Sequence, residues 1–221
     1  MSPAPPSPDD PTPDEATPAS DDHTSITYGG ITHGGGARDG IIGDDELRLC
    51  GDLSGGKRAI ELGVSEQRNA LAFAAAGAKA IAVDPDPLRI DTLRADASAL
   101  ELHVECHVGE LADLGFATSG SVELVVADHT LSDVDDLGRS LRQVHRVLKS
   151  GHAFVIVVDH PFGEVMSDPT RPYGSGSRTL GEWLTALSRA NFRVDTVHEL
   201  GVDDAHPAPS TLVLRARKEG S

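Results

Sequence analysis

The chain has 221 residues, a formal net charge of −16 at pH 7 and 38% hydrophobic residues, enough for one globular domain with a core of its own. It has no basic stripe and no Lys/Arg run interleaved with aromatics, which argues against a nucleic-acid surface, and no apolar run near the ~20 residues of a membrane helix. The start lacks the apolar segment of a signal peptide, and Cys50 and Cys106 form no CxxC pair, so a cytoplasmic protein with free thiols is expected.

Residues 1–22 are Pro, Ser and acid with almost nothing to bury, and read as a disordered, self-repelling tail. Residues 23–46 open with a glycine-rich lead-in, either a lid over a site or a plain loop. The domain proper is expected over 47–221. "DDELRLCGDL" predicts a short helix with acids in its first turn. Strands and helices then alternate. Strands are expected at 58–62, 80–83, 102–108, 122–127 and 153–158, and helices at 66–76, 88–100, 135–148 and 179–190. The third of these strands puts Leu102, Val104, Cys106 and Val108 on one face. The helix at 135–148 carries Leu137, Leu141, Val144 and Leu148 on one stripe. Thr179 and Glu182 have capping-box spacing. Two final strands, 192–198 and 210–216, are too close for a parallel crossover and should form an antiparallel hairpin at one edge. Runs such as "ELVVA" and "FVIVV" indicate a mostly parallel sheet covered on both faces, a Rossmann-like, doubly wound, three-layer α/β/α architecture.

The stretch "AIELGVSEQRNALAFAAAGAKAIAVDPDP" is built like a nucleotide-binding unit, but its turn carries a single glycine, Gly63. "GVSEQR" lacks the G-x-G-x-x-G that admits a pyrophosphate, which argues against a nicotinamide-dependent oxidoreductase. Further on stand "VELVVADHTLSDVDDLGRSLRQVHRVLKSGHAFVIVVDHP" and "RTLGEWLTALSRANFRV". In these segments the chain, from about Leu47 to Ala216, resembles the class I S-adenosylmethionine (SAM) dependent methyltransferases, in the small-molecule branch related to the ubiquinone/menaquinone enzymes.

The resemblance implies a seven-stranded sheet with SAM as cofactor at the carboxyl ends of the first strands. It implies Glu61 near the methionine amino group, Gly63 as the first glycine of the loop, and Asp84 as the carboxylate that accepts the ribose hydroxyls. Glu110, in "VGELADL", falls beside the adenine amino group, and Pro85, next to Asp84, and Leu111 are further cofactor contacts. Asp128 and His129 fall to the methionine end and the substrate. Ser65 and Gln67 stand where the family has its later glycines. Ser65 is small enough to donate to the methionine carboxylate. The Gln67 side chain either turns outward or weakens binding. Ser150 and His152 depart from the Pro and Gly of the family's "KPGG" turn.

In-line methyl displacement from a sulfonium needs alignment and exclusion of water, with a base only for a protonated nucleophile. His129 is the first candidate base or substrate contact, the alternative being a polar cap of its loop. His160, with Asp159 beside it, is the second. Asp133 and Asp135 read as caps of the next helix. Tyr28 and His33 either close over the methionine moiety or have no role. His103, Glu105 and His107 share a strand face, but with no fourth ligand nearby no metal site is expected. Cys106 reads as core, His145 as surface, and Trp183 and Phe192 as packing, with Trp183 a lining residue if the substrate is aromatic. Residues 160–178 form a short substrate-side insertion in which Arg171 and Tyr173 contact substrate or brace the loop. The expected activity is SAM-dependent methyl transfer to an O or N atom of a small-molecule substrate, in a pocket completed by a second subunit if the protein is a homodimer. The alternative is a methyltransferase-fold protein with a degenerate loop that acts as a non-catalytic binding partner.

Overall fold

The computed structural model describes residues 26–28, 42–203 and 207–220. The expectations for the tail, for His33 and for most of the glycine-rich lead-in lie outside these residues. In chain order the elements are β1 (Thr27–Tyr28), β2 (Ile42–Gly43), α1 (Asp44–Leu47), β3 (Arg58–Leu62), α2 (Asn69–Ala75), β4 (Lys79–Asp84), α3 (Pro87–Ala99), β5 (Val104–Val108) and β6 (Val122–Asp128). They continue with α4 (Leu137–Val147), β7 (Leu148–Asp159), α5 (Pro161–Ser167), α6 (Leu180–Arg189), β8 (Phe192–Leu200) and β9 (Thr211–Lys218).

Seven strands form one sheet in the order β5-β4-β3-β6-β7-β9-β8. The first five run parallel, and β9 inserts antiparallel between β7 and β8. This is the Rossmann-like, doubly wound sheet with the C-terminal antiparallel hairpin that the sequence predicts. The central strands are apolar on both sides because both faces are covered, whereas the edge strands β5 and β8 also carry exposed polar residues. Ile60, Leu62, Ile81, Val83, Val125 and Ala127 pack toward α4 and α6. Ala59, Ala80, Leu124 and Val126 pack on the other face with Phe73 of α2, with Leu49 and Leu53 from the segment before β3 and with Tyr28 of the lead-in. The α4 stripe buries Leu141 and Val144, and α6 carries the full Thr179–Glu182 capping box. Among the described residues no helix is long and apolar enough to cross a membrane.

Three elements differ from the sequence pattern. Helix α2 begins at Asn69, not 66, because Arg68 sits at φ +50° and the first helical N–H groups are taken by a buried glutamate. Strand β7 extends back to Leu148, so the "KSGH" segment is strand with a register shift opposite Val122. The insertion contains a short helix, α5, in which Pro161 holds the first position and His160 is the N-cap.

Candidate functional site

The chain runs outward from β3 through β4 to β5, then returns to lay β6 on the other side of β3. That reversal opens a crevice beyond the carboxyl ends of β3 and β6, the usual ligand position in open α/β sheets. Side chains alternate along a strand. Glu61, Asp84, Asp128 and Asp159 therefore share the α2 face of the sheet with Ala59, Ala80, Val126 and Val157. The pairing Leu62↔Val83 and Glu61↔Val126 puts Gly63 at the same level as Asp84 and Asp128, one on each side.

Gly63 has φ +81°, and a Cβ there would lie 2.4 Å from Thr130 Cβ. Thr130 reaches across the crevice and its hydroxyl donates to Leu62 O. Asp84 is buried at the end of β4; its Oδ2 accepts from Val64 N (2.7 Å) and its Oδ1 from Asp86 N (2.8 Å). Arg89 Nη1 stands 3.9 Å from Asp84 Oδ2 and donates to Val64 O (3.3 Å). Between this loop and α3 lies an open groove of about 310 Å³, bordered by Val64, Ser65, Glu66, Arg68, Leu88 and Arg89.

Glu61 is fully buried beneath the turn. Its Oε1 accepts from Ser65 N (3.1 Å), Ser65 Oγ (2.8 Å) and Asn69 N (3.0 Å), and its Oε2 from Ala70 N (2.9 Å). Burial pushes its carboxyl up to about 7, against the lowering effect of these donors. The Ser65 hydroxyl is thus spent on Glu61. Gln67 Oε1 accepts from Thr27 Oγ1 (3.2 Å), so this amide turns toward β1.

Asp128 is buried, and burial raises its carboxyl. Its Oδ2 accepts from Asn69 Nδ2 (3.4 Å), and its Oδ1 lies 2.6 Å from His129 Nδ1. His129 Nε2 lies 3.4 Å from Asp159 Oδ1. Burial pulls this imidazole down, but the hydrogen bonds and charges of Asp128 and Asp159 outweigh it and push the ring up to about 9. The imidazole therefore bridges two carboxylates from adjacent strands.

The other candidate residues lie apart from this cluster. His160 is 5% exposed; its Nδ1 accepts from Phe162 N (3.1 Å) and its Nε2 pairs with Glu199 Oε1 (2.9 Å), so one ring nitrogen caps α5 and the other ties it to β8. Tyr28 is fully buried; its hydroxyl reaches Asp44 Oδ1 (2.5 Å) and Cys50 Sγ (2.8 Å), and burial, with both neighbours, raises it strongly. Glu110 is exposed beyond β5, and Leu111 is buried in the core. Arg171 is exposed, and Tyr173, also exposed, accepts from Leu180 N (3.3 Å). Trp183 is buried in the α6 core, with the Arg178 guanidinium 5.7 Å over its ring. His107 pairs with Glu105 (2.8 Å) and stacks on Phe116. Among the described residues no three His, Cys, Asp or Glu side chains are grouped to hold a metal ion.

Sequence reasoning missed Asn69, Thr130 and Arg178. Asn69 and Thr130 had a signal, because each follows a strand end or loop that faces the crevice. Arg178 had none.

Residues 60–156 match the family described as Methyltransferase domain. An uncharacterized protein of Escherichia coli K12, YafE, is 25% identical over 126 residues, and the match spans 60% of that relative's length and 53% of this chain. A SAM-dependent methyltransferase of Methanosarcina mazei superposes with a TM-score of 0.65 at 17% identity, over 80% of this chain and 98% of that one. One from Mesorhizobium loti gives 0.63 at 23% identity, over 79% and 96%. The geranyl diphosphate C-methyltransferase of Streptomyces coelicolor, solved with Mg²⁺, a substrate analogue and S-adenosyl-L-homocysteine, gives 0.64 at 15%, over 78% and 73%. Residues 60–156 are thus similar in sequence to the methyltransferase domain family, and the chain has the Rossmann-like methyltransferase fold of these solved structures.

Proposed function

We propose that the protein is a SAM-dependent methyltransferase that transfers a methyl group to an O or N atom of a small molecule. The observation that carries this reading is the row Asp84–Gly63–Asp128 at the reversal point of the sheet, within the segment that matches the methyltransferase family. Each Asp84 oxygen accepts one backbone N–H and retains further acceptor capacity, which suits a vicinal diol. Pro85, Glu110 and Leu111 would border the adenine, and Gly63 would let the backbone pass close to the ligand. Glu61 and Ser65 are engaged with each other and support the turn from below. The ammonium of the methionyl group then falls to Asp128, steered by Asn69. Tyr28 acts indirectly, by tying β1 to Asp44 of α1 and to Cys50.

Bound SAM supplies a sulfonium-linked methyl group and a neutral leaving group. His129 would accept the proton of an O–H or N–H nucleophile, with Asp128 holding Nδ1 and Asp159 stabilising the charged ring; Nε2 is buried against Asp159, so the acceptor would have to enter between them. Because the ring titrates near 9, proton acceptance should improve as pH rises toward that value. His160 supports α5, and Arg171 and Tyr173 belong to the short cap over the substrate side. That cap is small, which favours a small or partly exposed acceptor and a pocket completed by a second subunit. The geranyl diphosphate enzyme, with the same architecture, takes a small molecule. The two free thiols fit a reducing cytoplasm.

A second reading is a non-catalytic binding protein. It is favoured by the internal satisfaction of Glu61 and Ser65 and by Thr130 over Gly63. Calorimetry with SAM and S-adenosyl-L-homocysteine separates the two. The enzyme binds both, and Asp84→Ala weakens binding by about 1.5–3 kcal/mol, roughly 10- to 150-fold. Unchanged affinity in that variant removes Asp84 from the site, and no heat at millimolar ligand favours the binding protein.

A further inference from the structure

His129 holds φ +56°, in the left-handed region where a residue with a side chain persists only if its surroundings over-determine it. On one side the sheet does so: His129 N donates to Val157 O (2.8 Å). On the other, Thr130 is tied to Leu62, and the next four residues leave the sheet as an irregular loop. A single guanidinium gathers the carbonyls of that loop. Arg178 Nη1 donates to Leu131 O (3.1 Å) and Ser132 O (2.5 Å), and Nη2 donates to Val134 O. The same group lies over Trp183, which is 1% exposed in the core, and Arg178 immediately precedes the capping box of α6. A planar fork with fixed donor directions suits such a clamp in a way a lysine does not.

We infer that Arg178 is a positioning residue for His129: by gripping the loop at 131–134 it keeps the imidazole between Asp128 and Asp159. Its bearing on methyl transfer rests on the reading of His129 as proton acceptor, whereas its effect on the ring does not. The groups that face the ring are Asp128 from β6 and Asp159 from β7, and Glu66, in the loop after β3, acts on Asp128. Removing a nearby cation without moving the ring would raise the titration midpoint of His129. Releasing the ring from its carboxylates would lower it. The two effects have opposite signs, so the titration distinguishes positioning from simple charge loss, and loss of stability alone moves neither.

The test is an NMR titration of histidine labelled at Cε1, with His129 assigned by His129→Gln, in the wild type, Arg178→Gln and Arg178→Lys. The expected wild-type midpoint is about 9. Arg178→Gln should bring it down toward the ordinary imidazole value of about 6.5. Arg178→Lys keeps charge and bulk, preserves the fold if the glutamine variant does not, and should give a smaller fall. A midpoint that stays at the wild-type value in a folded variant, or rises, overturns the inference, as does a wild-type ring that titrates near 6.5. Calorimetry with SAM on the same wild-type sample keeps the readings apart: absence of binding there sinks the enzyme while the titration still decides the role of Arg178.

Discussion

Replacing Gly63 with Ala should damage the site more than any other single methyl group. Two costs arise. The backbone at φ +81° is left-handed, which a Cβ penalises by about 1–2 kcal/mol. The new Cβ would also lie 2.4 Å from Thr130 Cβ, 2.6 Å from Cγ2 and 2.8 Å from Oγ1. The nearest atom is a β-carbon fixed to its backbone, so the loop must move, and overpacking of this kind costs about 1–3 kcal/mol. The sum, about 2–5 kcal/mol, corresponds to a Tm fall of roughly 4–20 °C for a domain of this size. Urea unfolding of Gly63→Ala, Thr130→Gly and the double variant closes a thermodynamic cycle. The clash should appear as a coupling of about 1–3 kcal/mol, because Thr130→Gly relieves contact but leaves the dihedral cost in place. A coupling near zero, or a single variant within about 0.5 kcal/mol of wild type, would show that Thr130 does not pack on this glycine.

Stability should fall in two steps as pH rises. Glu61, raised by burial from 4.5 to about 7, contributes stability that is fully present below 4.5 and lost as pH passes 7. His129, raised from 6.5 to about 9, contributes stability that is present below 6.5 and lost through 9, on the order of 2 kcal/mol. Urea midpoints of Glu61→Gln and His129→Gln between pH 4 and 10 should each lack their own step; a step that survives its substitution would reassign it. His160→Ala should cost about 1 kcal/mol, the loss of a helix cap, and leave SAM affinity unchanged by calorimetry. A large loss of affinity in that variant would return His160 to the site.

Much of this arrangement was legible in the sequence because it depends on local periodicity. Short apolar runs between helical stretches marked the strands of the sheet, and the resemblance to the class I methyltransferases implied Glu61, Asp84 and Asp128 as the acids at the strand ends. The closeness of the last two strands dictated the antiparallel hairpin. The partners of those side chains were not legible. Glu61 was expected to face a ligand, but its buried carboxylate captures Ser65, Asn69 and Ala70 and delays the helix by three residues. His160 has a base's residue type and a cap's position, and only its contacts with Phe162 and Glu199 distinguish the two.

Periodicity is a property of neighbours along the chain, so the sequence determined the elements and their order, and its resemblance to a family implied the carboxylates at their ends. The tertiary structure alone decided which groups those carboxylates meet. The hydroxyl of Thr130 finds Leu62 at a separation of 68 residues, and Arg178 finds the carbonyls of 131–134 from 44 to 47 residues away. Such contacts form because packing two layers of helices on a sheet brings distant polar groups into a dry crevice, where each must find a partner.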